Sequence, residues 1–300
     1  MSATTIPAAP ARSAETAHAL GRRRRRKDAL IRWLCLAATL LGLAFLASIL
    51  LTLLWRGLPA LDGLIFTRDF EPTTYGDDTL PRGGLRHAIL GTLMQTALAT
   101  AIGTPIGLLV GTYLSEYARN SALGQAVRFV SDVLLSAPSI LIGLFIYQLV
   151  VLPMGGFSGL AGVLALAVIV IPVVVRTTED MLSLLPNTLR EAVVALGAPK
   201  WKMITLVAWR AALSGIVTGV LLAFARIAGE TAPLLLTSFG NGVLSNDLGR
   251  AMASLPIAIY QQANSGFPDL IAIAWTGALL VTAGVLLINI LARVLLRKKG

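Results

Sequence analysis

The chain has 300 residues, of which 56% are hydrophobic and only 13% charged, and its mean hydropathy is +0.77. That excludes an ordinary soluble globular domain and points to a polytopic membrane protein. A formal net charge of +10 and an isoelectric point near 10.5 invite a nucleic-acid partner, but the cations flank long apolar runs. Membrane orientation accounts for them, and no nucleic acid is expected.

Residues 1–29 are rich in Ala, Ser, Thr and Pro and end in five arginines, Arg22 to Arg26, and Lys27. This composition predicts a disordered basic cytoplasmic tail. The apolar run at 33–54 is too long for a cleaved signal, so 30–55 is expected to be a retained first transmembrane helix. Residues 56–86 mix Gly, Pro and both signs of charge, which suits a periplasmic segment dividing an accessory helix from a core at 87–293. A short tail, 294–300, ends the chain.

Further apolar windows fall at 88–114, 133–154, 158–175, 207–236 and 270–292, each matched to a hydrocarbon core of ~30 Å. Six transmembrane helices and an all-α integral membrane protein follow. With the arginine run inside, Arg119, Arg128, Arg176, Arg190, Lys200, Lys202, Arg210, Arg293, Arg297, Lys298 and Lys299 are also inside. The outer segments carry Arg56, Arg68, Arg82, Arg86 and Arg250 offset by Asp62, Asp69, Glu71, Asp77, Asp78, Asp247 and Asp269. The bias places both termini in the cytoplasm.

Three helices contain interruptions: Gly103-Thr104-Pro105-Ile106-Gly107, Ser136-Ala137-Pro138-Ser139 and Ile171-Pro172. Broken helices persist in lipid where neighbours or a cavity satisfy the freed backbone groups. Glu116 and Asp132 border the second inner loop and read as solvated.

The inner loop 176–206 holds a short polar helix. Thr188 followed by Glu191 has the spacing of a capping box, so the helix is expected from Leu189. Gly197 suits the left-handed closing residue, and Pro199 cannot continue the helix. Leu189, Ala192, Val193 and Leu196 make one apolar face, with Arg190 and Glu191 turned away. So small a helix must dock, either on its own bundle or on another protein.

In the apolar run that follows, Arg226 and Glu230 lie four apart, on one helix face. An arginine near the bilayer midplane costs a few kcal/mol by insertion scales. It therefore marks a water-filled path or a structural ion pair. Pro233 lacks an amide hydrogen and crowds the carbonyl of Gly229, which predicts a bend or break between the charges and the helix's outer end.

Cys35 is the sole cysteine, His87 has only the distant His18 for company, and there is no nucleophile set, paired acid or phosphate-cradling loop. No catalytic residue, metal site or cofactor is expected. The chain reads as a transport subunit and not an enzyme.

Glu191-Ala192-Val193 followed by Gly197 resembles the cytoplasmic EAA loop in permease subunits of binding-protein-dependent, ATP-driven importers, although Val207-Ala208-Trp209-Arg210 departs from that loop's generic continuation. Four further stretches narrow the likeness. They are the residues 136–140, 176–179 and 196–202, and the run Ala225-Arg226-Ile227-Ala228-Gly229-Glu230-Thr231-Ala232-Pro233-Leu234-Leu235, and they are similar to the PstA family of phosphate-importer permeases.

That resemblance implies the type I ABC importer (MetI-like) permease fold in the cell inner membrane and a heterodimer with a PstC-like permease. It also implies PstB-like ATPase subunits that hydrolyse ATP beneath it and a periplasmic PstS-like phosphate-binding protein. It assigns Leu189, Glu191, Ala192, Val193, Leu196 and Gly197 to the ATPase-coupling helix and Arg226 to phosphate translocation; the cost of an unpaired charge leads to the expectation that Glu230 holds Arg226 when the path is empty. A permease for sulfate or molybdate, or an ion-coupled secondary transporter using Arg226 and Glu230 as a relay, are the competing readings.

Overall fold

The computed structural model describes residues 11–71 and 83–297. Asp77, Asp78, Arg82, Lys298, Lys299 and the first ten residues of the expected tail lie outside the described residues. The chain divides into two compact units, residues 1–54 and 55–300.

In the first unit the dominant element is α1 (Ala11–Gly57). From Trp33 to Leu51 its side chains are mainly apolar and exposed around the whole circumference, as lipid requires. The start at Ala11 corrects the expected disordered tail. Ala, Glu, Leu and Arg are strong helix formers, and a helix already nucleated in the apolar run extends backward through them at little cost.

The second unit follows as α2 (Leu64–Thr67), α3 (Arg86–Glu116), α4 (Ala122–Ser136), α5 (Ser139–Met154) and α6 (Gly159–Ser183). Then come α7 (Asn187–Ala195), α8 (Lys200–Ala228), α9 (Ala232–Thr237), α10 (Leu255–Ala263) and α11 (Pro268–Arg297). α5 and α8 each contain a π-helical stretch, Tyr147–Val151 and Met203–Ala208.

Among the described residues five helices are long and apolar enough to cross a membrane, and the bent pair α4 and α5 is a sixth candidate. The bend falls at the interruption expected at Ser136–Ser139, where α4 and α5 meet at 105°. The cause is Pro138: it has no amide to donate and forces Ala137 into an extended conformation, ψ 138°. The other two expected interruptions do not break their helices. α3 runs through Pro105 and α6 through Pro172.

In α3 the glycines serve packing instead. Gly103, Gly107 and Gly111 form one stripe against α6, where an added Cβ would lie 2.7 Å from Val170, 2.6 Å from Val174 and 2.6 Å from the Val175 carbonyl oxygen. Small residues four apart let two membrane helices approach backbone to backbone. α6 is thereby central, its Val163, Leu166, Val170 and Val174 forming one core with Ala99, Ile142, Ala223, Ile227 and Leu234.

At the end of α3 nearest Arg86, polar groups tie the connecting segments. Arg86 donates through Nε and Nη2 to both Asp69 carboxylate oxygens at 3.0 Å, and Asp69 Oδ2 also accepts from the Leu244 amide at 3.1 Å. The Arg86 guanidinium holds the Asp69 carboxyl below its ordinary range, and the Leu244 bond acts in the same direction. Segment 240–244 is thus moored to the start of the core.

Candidate functional site

Two charged places deserve comparison, one at each end of α8. At its C-terminal end the helix stops at Ala228, and the chain turns through Gly229, Glu230 and Thr231 before α9 begins. The Gly229 amide reaches back to the Arg226 carbonyl at 3.3 Å and the Glu230 amide to that of Ile227 at 3.2 Å, a tightened last turn.

The sequence placed the break beyond both charges, but it falls between them. Gly229 ends the helix with φ −101° and ψ 1°, and Pro233 sits in the first turn of α9, where its missing amide is no loss. Arg226 and Glu230 still meet, Nε to Oε1 at 4.0 Å, with side chains 44% and 17% exposed. The guanidinium is therefore loosely held and accessible. Behind the break, Gly143 of α5 lets α9 close in, since a Cβ there would lie 2.6 Å from the Pro233 Cα.

The chain then returns to cap α6. Amides of Ser158, Gly159 and Leu160 donate to the carbonyls of Thr237 at 3.0 Å, Arg250 at 2.8 Å and Leu248 at 2.8 Å. The Ser158 hydroxyl accepts from the Ala161 amide at 3.1 Å. These bonds satisfy the orphan donors of a helix start and fix the loop that follows the break.

At the other end lies α7. Its cap is Pro186, extended at ψ 144°, with no side-chain bond, so the expected capping box from Thr188 to Glu191 is absent and the helix begins at Asn187. Another device replaces it. Arg190, expected to point away, turns inward and donates through Nη2 to Glu116 Oε1 at 2.8 Å, through Nη2 to the Leu182 carbonyl at 2.7 Å and through Nη1 to that of Leu185 at 2.6 Å. The Arg190 and Glu116 side chains are 15% and 4% exposed. Glu116 is buried and paired, not solvated.

Leu189 and Val193 face the bundle, Val193 packing on a core of Leu182, Met203, Ile204 and Ala208. Glu191, Ala192, Val194 and Ala195 face outward with Leu196, which is 87% exposed. The expected single apolar face is therefore two, one docked and one open. Gly197 at φ 77° ends the helix in the left-handed conformation expected of it.

A second pair, Arg128 to Glu179 at 2.6 Å, ties α4 to α6, and Arg128 Nη2 also donates to the Leu114 carbonyl at 3.1 Å. No spacing rule could have found either pair: Glu116 and Arg190 are 74 residues apart, Arg128 and Glu179 51.

Comparison with known proteins gives the arrangement its context. Residues 103–300 match the family described as "Binding-protein-dependent transport system inner membrane component". The chain is 49% identical over 276 residues to the Yersinia pestis "Phosphate transport system permease protein PstA", covering 92% of each. It is 37% identical to the Methanocaldococcus jannaschii "Probable phosphate transport system permease protein PstA", covering 85% of this chain and 88% of that one.

The chain belongs to the PstA family.

Two solved structures share the fold. A chain of the inward-facing MetNI methionine ABC transporter superposes with TM-score 0.62 at 22% identity, covering 72% of this chain and 96% of that one. A chain of a bacterial alginate ABC transporter does so with TM-score 0.63 at 15% identity, covering 90% and 94%. PstA-family membership and the helical spans together make this a multi-pass inner-membrane ABC importer permease. Neither competing reading is favoured by these relatives. In this PstA-family chain the half-exposed arginine therefore stands at a helix break, and the open helix face stands at the opposite end of the same membrane helix.

Proposed function

We propose that this chain is the permease subunit of an importer for inorganic phosphate, energised by ATP hydrolysis on partner subunits. The observation that carries the substrate assignment is Arg226, accessible in the last turn of α8, the one charged side chain of that helix beyond Arg210, and held only loosely by Glu230. A guanidinium offers a planar fork to phosphate oxygens, keeps its charge at any relevant pH and sheds water more readily than ammonium. Glu230 keeps it company when no anion is present, since a charge within a membrane span is costly without a partner. Gly229 and Pro233 supply the break that lets the two charges separate.

The topology follows from charge placement: both termini and the loop at 176–206 in the cytoplasm, the segment at 56–86 in the periplasm. Residues 30–55 are then an accessory helix and 87–293 the permease core. A PstC-like permease completes the path as a heterodimer, PstB-like ATPases receive the open face of α7, and a PstS-like protein delivers phosphate. Closure of the ATPase pair draws α7 toward its counterpart. The Arg190 to Glu116 bond carries that displacement into α3.

Uptake of radiolabelled orthophosphate into vesicles holding the whole complex tests the reading. Substituting Arg226→Gln is expected to abolish uptake while the ATPase subunits still bind; persistent uptake makes the pair structural. Ionised Glu230 also accepts the hydrogen that phosphate carries and sulfate lacks. Glu230→Gln is accordingly expected to narrow the discrimination between the two anions, and unchanged transport with unchanged discrimination removes that role.

A further inference from the structure

A groove of about 230 Å³ opens between the C-terminal half of α3 and the start of α8, at the end of α8 that carries α7 but beside the Arg190–Glu116 pair and not within it. One wall is Leu109, Tyr113 and Tyr117, spaced four apart on α3, and the other is Trp201, Ile204 and Trp209 on α8. The walls are pinned together by the Trp209 indole N–H, which donates to the Thr112 hydroxyl at 3.0 Å. Tyr113, Tyr117 and Trp201 remain exposed, and no other described element covers them.

Two cations stand at the same end. Lys200 Nζ lies 4.2 Å from the centre of the Tyr117 ring, and Lys202 Nζ 5.5 Å from that of Trp201. Lys200 gives one N–H to the Glu116 carbonyl at 2.6 Å. Two donors remain for a ligand.

From this arrangement we infer that the groove binds one anionic phospholipid, its phosphate on Lys200 and Lys202 and an acyl chain along the aromatic wall toward Leu109. The distance from Tyr117 to Leu109 along α3 is about 12 Å, two helical turns, so a chain seated at the lysines runs well into the hydrocarbon. Tyr and Trp settle at the membrane–water boundary, and basic pockets between membrane helices collect anionic headgroups. A free phosphate has no use for the apolar walls, and a soluble protein segment has no route to Leu109, which faces outward within a membrane span. The wall on α8 is also where its π-helical stretch lies, an irregularity that widens the helix at Ile204.

The test uses the whole importer complex in mixed micelles of phosphatidylglycerol and phosphatidylcholine, with retained lipid read by native mass spectrometry. Wild type is expected to keep phosphatidylglycerol in preference, and Lys200→Gln with Lys202→Gln to lose that preference by about fivefold for each lysine. Lys200→Arg with Lys202→Arg is expected to keep it. Equal retention of both lipids by wild type, or unchanged preference in the glutamine variant, overturns the site, and the wild-type ratio decides alone where the variant does not assemble. Displacement of the lipid by orthophosphate overturns it too, because the lysines then serve the free anion.

Discussion

The two ends of α8 hold charge in opposite ways. Arg226 meets Glu230 at 4.0 Å with nearly half its side chain accessible, whereas Arg190 meets Glu116 at 2.8 Å with two backbone carbonyls closing round it. On the proposed function, the charge that exchanges partners is the under-satisfied one, and the charge that transmits a displacement is the saturated one. Burial makes the second arrangement stiff: every donor of Arg190 that is used is aimed at a fixed acceptor, in surroundings where an unmade bond is costly.

The sharpest way to break this contrast is to exchange the loose charge for a neutral amide. Arg226→Gln is expected to reduce phosphate uptake to background without lowering the amount of assembled complex, measured by copurification of the ATPase subunits. A fall in assembly instead makes the two ends alike. Next is the saturated end, where Arg190→Ala leaves Glu116 buried and unpaired and is expected to cost about 3–5 kcal/mol, read as a lower thermal midpoint of the complex. A loss below about 1 kcal/mol, the range of exposed pairs, places that bond at the surface in energetic terms.

Smaller effects refine the picture. Gly197→Trp, which puts a side chain on a residue at φ 77°, and Glu191→Arg on the open face of α7 are each expected to leave basal ATP hydrolysis largely intact. The amount of phosphate moved per ATP should fall several-fold, and tight coupling in both variants removes α7 from the transmission path. Smallest is the effect of Asp69, whose carboxyl Arg86 holds below its ordinary value of 3.8. A depressed carboxyl contributes stability above that value and loses it as the pH falls through the folded-state value. The thermal midpoints of wild type and Asp69→Asn should therefore differ at neutral pH and converge in acid below 3.8. A gap that persists there assigns the difference to the Leu244 contact alone.

What the sequence made legible was governed by local rules. The five spans and the bent sixth candidate follow from apolar length, the left-handed Gly197 from its place between a helix and Pro199, and the break at Ser136–Ser139 from Pro138. Pro105 and Pro172 obey the same local rule yet sit inside continuous helices, because neighbouring helices hold the backbone in place. The short helices α9 and α10 went unseen. α9 hid inside a single apolar window, and α10 is too brief for a spanning pattern. The clearest miss is Arg190, whose partner Glu116 arrives by the packing of α3 on α6 and leaves no mark in either residue's own neighbourhood.

The stair of Gly103, Gly107 and Gly111 has a mechanical corollary. With Val170, Val174 and Thr178 of α6 seated in the hollows those glycines leave, the two helices interlock, and α3 and α6 are expected to swing as a single plank. Any alternation of access then has to be sought outside that plank, and the three residues between α8 and α9, beside the guanidinium, are one break in regular helix where it could act.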